Sequence, residues 1–222
     1  MKQTTMNRTS RAVCTVLAAA ALAAGLAACA PLIVGGAVVG GVMAVDRRTT
    51  GTQIEDEGIE LRAANRIRET LGDRVHVNVT SYNRQALLTG EAATAQDRQQ
   101  AEQIVSQVEN VRSVVNDLAV MPNSSLSQRS NDTFITGKVR ASLVDARDIA
   151  TGSIKVVTER NIVYLMGRVS QREATRATDI ARGVSGVSKV VRVFEIVSEE
   201  ELLRNAPQPV PVTTDGATST GS

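Results

Sequence analysis

Two kinds of hydrophobic spacing alternate along the chain, and the alternation occurs twice. Ala101, Ile104, Val105 and Val108 follow the i, i+3, i+4, i+7 stripe of an amphipathic helix, and Ala177, Ile180, Ala181 and Val184 repeat it 76 positions later. Ahead of each stripe the period drops to two. Val75, Val77 and Val79 alternate with His76, Asn78 and Thr80, and Ile154, Val156 and Thr158 behave alike. A turn leads into Ala86-Leu87-Leu88 or Val163-Tyr164-Leu165, runs that end at Gly90 or Gly167. A third apolar run follows the helix, Val114 to Val120 and Val190 to Val197, and its inward face is ambiguous because both phases carry apolar residues.

The punctuation is duplicated as well. Asp56 and Asp132 read as N-caps of helices carrying Ile59 and Ile67 in one copy, Ile135 and Leu143 in the other. Thr94 with Asp97, and Ser170 with Glu173, resemble capping boxes, Asp being the poorer partner. Asn110 and Gly186 are the types that most readily turn left-handed after a helix. The order predicted for each copy is helix, strand, strand, helix, strand, over 56–120 and 132–197. Residues 121–131, with Pro122 and several Ser, read as a linker. From 198 to 222, three glutamates give way to Pro207, Pro209 and Pro211 and a Thr/Gly/Ser run, which predicts disorder.

The N-terminus is of a different kind. Residues 1–11 are basic, and no charged residue occurs from Ala12 to Val45. A spanning signal anchor is one reading of that stretch. The other is an h-region closing on Leu26-Ala27-Ala28-Cys29, which resembles the lipobox of bacterial lipoproteins. That resemblance implies removal of 1–28, a thioether-linked diacylglycerol on Cys29 and an acyl chain such as palmitate on its new amine. Ala30 in place of Asp then implies the outer membrane. Cys14 would leave with the signal, so the mature chain would hold neither a free thiol nor a disulfide. Residues 29–55 would be the lipidated tether.

The two repeats resemble the BON domain, in element order and in the position of Gly90 and Gly167. The resemblance implies an α+β fold of two tandem αββαβ domains, each a small three-stranded mixed sheet packed against two helices. A lipobox followed by two such repeats is similar to BON-domain outer-membrane lipoproteins, and Asn131-Asp132-Thr133-Phe134-Ile135-Thr136 carries that similarity, with Phe134 where the family member has Trp. What it implies is a periplasm-facing protein of envelope integrity that binds an anionic phospholipid membrane through its second repeat.

Charge bears on that expectation. Of 25 basic and 23 acidic side chains, Lys2, Arg8 and Arg11 lie in the leader, so the remainder is near neutral and does not suit a nucleic-acid binder. Residues 58–120 hold seven basic against eight acidic groups, residues 134–197 eleven against six. Each cation near an anionic surface contributes about 1 kcal/mol, so charge alone would hold the second repeat only weakly. Its first helix offers more. At about 100° per residue Ile135, Val139, Ser142, Leu143 and Ala146 form the core stripe, and Phe134 lies about 125° away. Phe134, Gly137, Lys138, Ala141 and Val144, flanked by Arg140, make a second face that suits a headgroup region. In the first repeat Gly58 matches Phe134, so that helix is expected to lack the wedge. Alternatively Phe134 covers its own core, or anchors a protein interface with outer-membrane assembly proteins, or the repeats act as a periplasmic holdase.

No catalytic constellation is legible. His76 is the only histidine, on the polar side of a strand, and no metal or cofactor set accompanies it. Gly183-Val184-Ser185-Gly186 lacks nucleophile-elbow spacing. A non-enzymatic protein with no small-molecule substrate is expected.

Overall fold

The structure is a computed structural model, and it describes residues 46–204. The first repeat runs Thr50–Leu71 (α1), Val75–Tyr82 (β1), Gln85–Ala92 (β2), Ala95–Ser106 (α2), Ser113–Asn116 (β3) and Ala119–Val120 (β4). The second runs Leu126–Asp145 (α3), Ile154–Glu159 (β5), Ile162–Val169 (β6), Gln171–Arg182 (α4) and Lys189–Ile196 (β7). A short helix, Glu199–Arg204 (α5), then stands where the composition predicts disorder. In each sheet the middle strand pairs antiparallel with its hairpin partner and parallel with the strand that returns after the helix. The third run of the first repeat is broken: β3 and β4 pair with β2 in turn, and Leu118 between them dips into the core at 2% exposure.

Asp56 and Asp132 are equivalent, but neither is an N-cap. The helices start earlier, capped by Thr49 and Ser125, so residues 126–131, read as linker, are helical. Both aspartates are buried, and they hold the hairpins. Asn83 and Arg84, and likewise Arg160 and Asn161, have positive φ at both central turn positions, the mark of a type I′ hairpin. The Asp56 carboxylate accepts the N–H groups of Asn83 and Arg84, and Asp132 those of Arg160 and Asn161, all at 2.8 Å. Gly90 and Gly167 lie two residues inside their strands instead of ending them. Gly90 is at φ +115°, and a Cβ there would meet the His76 carbonyl oxygen at 2.0 Å.

The caps of the later helices differ as side-chain length dictates. Ser170 and Glu173 form a full capping box. Thr94 accepts from the Asp97 N–H, but the shorter Asp97 side chain bonds Arg74 and the Thr94 hydroxyl. Asn110 and Gly186 are both left-handed, a few residues beyond the helix ends.

Each sheet is covered by its own two helices. Ile59, Ala63, Ile67, Ala101 and Val105 close on Leu88 in one core; Ile135, Val139, Leu143, Ala177 and Ala181 close on Leu165 in the other. The opposite faces of the sheets meet in a third cluster of Tyr82, Leu87, Tyr164, Met166 and Val193. This seam explains the two-phase third strands. Val114 and Val190 face their own helices, whereas Val115 and Val191 face the neighbouring repeat.

Polar groups border the seam. The Tyr164 hydroxyl donates to Asp117 at 2.7 Å, Asn78 to Glu159 at 2.9 Å and Lys155 to Glu60 at 2.7 Å. Arg160 donates to the Gly90 carbonyl and lies 3.6 Å from the buried Glu91, whose other oxygen is 3.0 Å from His76 Nδ1. Arg47, just ahead of α1, forks onto Glu173 in the second repeat.

Candidate functional site

The site begins with the cap that sets the phase of α3. Ser125 accepts the Gln128 N–H, and the Gln128 side chain accepts the Ser125 N–H at 2.9 Å, a capping box in a stretch where sequence reading placed none. From that start the helix turns Ile135, Val139 and Leu143 inward, each 2% exposed or less, with Ser142 and Ala146 half-buried at the margin. The other face stays in solvent. Phe134 is 66% exposed and Val144 61%, and Gly137 and Ala141 lie exposed between them.

The cations of this face are held by the fold at their own ends. Lys138 Nζ stands 4.9 Å from the centroid of the Phe134 ring and donates to the Ser185 carbonyl at the end of α4. Ring and ammonium are therefore one unit, with the ring face toward the charge. Arg140 donates to the Val156 carbonyl at 3.3 Å. Lys138, Ala141 and Ser142 on α3, with Asp179 and Ile180 on α4 and Gly183 capping it, border an open groove of about 550 Å³ beside the apolar face.

The positive surplus of the second repeat is partly spent. Six of its eleven cations meet acids: Lys155 and Arg160 across the seam on Glu60 and Glu91, and Arg168, Arg172, Arg176 and Arg182 on Glu195 and Glu201, Glu199, Asp148 and Asp179. The charge difference between the repeats thus serves their mutual docking as well. Lys138 and Arg140 bond only carbonyl oxygens, so they keep their charge for an outside partner.

Sequence reading missed two features. Leu126, assigned to the linker, is 79% exposed at the start of α3. The α1 helix does not lack outward apolar residues: Ile54 and Leu61, seven positions apart, are 66% and 65% exposed. What separates the two helices is the balance of charge: α1 carries Glu55, Asp56, Glu57, Glu60 and Glu69 against Arg62, Arg66 and Arg68, whereas α3 carries Arg129, Lys138 and Arg140 against Asp132 and Asp145. Cys29 lies outside the described residues. Among the described residues no three His, Cys, Asp or Glu side chains are grouped to hold a metal, and no helix is long and apolar enough to cross a membrane.

Comparison with known proteins adds a lineage to this geometry. The family model described as "BON domain" matches residues 56–122 and 131–198. The Outer membrane lipoprotein DolP of Haemophilus influenzae is 38% identical over 173 residues, covering 77% of this chain and 89% of that protein. The 21 kDa hemolysin of Actinobacillus pleuropneumoniae is 32% identical over 155 residues, covering 69% and 80%. The Osmotically-inducible protein Y of Escherichia coli is 42% identical over 72 residues, 31% of this chain and 36% of that one.

Proposed function

The chain belongs to the BON-domain family, and on that premise we propose that it is an outer-membrane lipoprotein whose second repeat docks on anionic phospholipid through Phe134, Lys138, Arg140, Ala141 and Val144. The observation that carries this reading is an aromatic ring two-thirds exposed on a helix whose opposite face is fully committed to the core, with an ammonium over it. Burying such a ring contributes about 1.5–3 kcal/mol and each neighbouring cation about 1 kcal/mol. The name of the Haemophilus relative supports the location. Leu26-Ala27-Ala28-Cys29 supports acylation at Cys29, in the outer membrane and facing the periplasm. Attachment would then be two-point and non-enzymatic. Acyl chains fix the protein to a leaflet, and the second repeat adds an affinity that depends on lipid composition, in support of envelope integrity.

The test is co-sedimentation of fragment 46–222 with vesicles. Every core side chain of the three clusters lies between Ile59 and Phe194, so this fragment keeps the fold whole. Binding is expected to phosphatidylglycerol-containing vesicles over neutral ones, and Phe134→Ser is expected to weaken it about tenfold. Equal binding to both vesicle types, or no loss on substitution, refutes the proposal. A second reading, a protein-interaction module for envelope assembly proteins, is favoured by Ile54 and Leu61, exposed on α1 among side chains of both signs. Capture of a partner lost on Leu61→Ser, with vesicle binding absent, would select it.

A further inference from the structure

Leu126 has the largest exposure of the big hydrophobic side chains among the described residues, at 79%. It is also well placed: the Ser125–Gln128 capping box fixes it as the first residue of α3 instead of leaving it in a wandering loop. Eighteen residues make five turns, so Leu126 and Val144 point the same way, about 27 Å apart along the helix. Ser130, Gly137 and Ala141 fall within about 60° of that line, and Phe134 about 80° from it.

The charge along this line is mainly positive; Asp145, exposed beside Val144 and about 100° from the line, is the one outward acid of α3. Between Leu126 and Val144 the helix carries a single acid, Asp132, and it is turned inward onto the Arg160 and Asn161 N–H groups. The cations Arg129, Lys138 and Arg140 flank the apolar stripe. The α1 helix is the internal contrast, with similarly exposed apolar residues on a helix of five acids and three arginines, whereas α3 has three cations and two acids.

We infer that α3 lies lengthwise on an anionic lipid surface, with Leu126 as an anchor about 27 Å from Val144, so that the docking contact is a line and not a point. This rests on the docking role proposed for Phe134 and sharpens it. A helix that touches at Phe134 alone can pivot on the ring. One that touches at Leu126, Phe134 and Val144 has its axis fixed in the membrane plane, and with it the side of the molecule on which the first repeat stands.

The chain contains no Trp, so single-Trp variants report their own position. Leu126→Trp, Phe134→Trp, Val144→Trp and, as control, Leu61→Trp are compared in fragment 46–222 on phosphatidylcholine/phosphatidylglycerol vesicles with brominated acyl chains. The expected result is a blue shift and quenching at 126, 134 and 144 to similar extent, with position 61 unchanged. In parallel, Leu126→Ser weakens vesicle binding about tenfold. Quenching at 134 without quenching at 126 overturns the line contact while the docking proposal stands. No quenching at 134 overturns both. A blue shift at 126 that grows with protein concentration and needs no vesicle puts a second copy on this face and overturns the inference.

Discussion

Substituting Asp56 by Asn removes one charge from the first repeat and changes almost no volume. The carboxylate accepts four hydrogen bonds: Ser81 Oγ at 2.7 Å and the Arg84 N–H at 2.8 Å on one oxygen, the Asn83 N–H and Arg48 guanidinium at 2.8 Å each on the other. An amide turns one of those oxygens into a donor, so two donors lose their acceptor whichever way it is flipped. Each buried donor left unmade costs about 1–3 kcal/mol, which sets the expected loss at about 3 kcal/mol. Arg48 keeps Asp46 as a partner, which holds the figure below the full sum. Burial pushes the Asp56 pKa up, but the bonds from Ser81, Arg84, Arg48 and Asn83 outweigh it, and the group titrates below 3.8. Its contribution is therefore complete above 3.8 and is lost as pH falls through the lower folded value. Urea unfolding of wild type and variant, at neutral pH and down into that acid range, measures both effects. A loss under about 1 kcal/mol, or a variant whose acid sensitivity equals that of wild type, would refute the turn-clamp account.

Asp132→Asn, with two turn N–H groups instead of four donors, is expected to cost less than Asp56→Asn in the same unfolding assay. Burial, with the charges of Glu91 and Asp132 adding to it against Asn78 and Arg160, raises the Glu159 pKa above 4.5. Folding at neutral pH thus opposes that charge, and stability rises as pH falls toward the raised value. Glu159→Gln should be more stable at neutral pH and lose that rise, as read from urea midpoints at neutral and mildly acid pH. The only two tyrosines line the seam; burial pushes Tyr82 up to about 12 and Tyr164 higher still. Ultraviolet titration should therefore find no tyrosinate near the ordinary value of 10.0, and stability should fall as pH rises above it, because only the unfolded chain ionises there. Gly90→Ala drives a Cβ onto the His76 carbonyl at a left-handed φ, and is expected to cost about 3 kcal/mol in thermal unfolding.

The repeat, the order of its elements and the inward stripe of each helix are legible along the chain, because periods of 3.6 and 2 and the Thr94 and Ser170 caps are local properties. It also marked the outer face of α3, since Phe134 and Val144 sit out of phase with Ile135, Val139 and Leu143. Two local signals mislead when taken alone. Ser125–Gln128 is a capping box that moves the helix start, and Asp56 and Asp132 look like caps because a short acid suits any cluster of free N–H groups, here those of a hairpin turn. That the two sheets meet face to face emerges only once the chain is folded. Apolar residues in both phases of β2, β3, β6 and β7 say that both faces are buried but not against what, since a partner far along the chain leaves no local trace. The same holds for charge: a count of arginines cannot tell Arg160, committed to Glu91 across the seam, from Arg140 at the rim of an open face, because pairing depends on distances that only the folded chain sets.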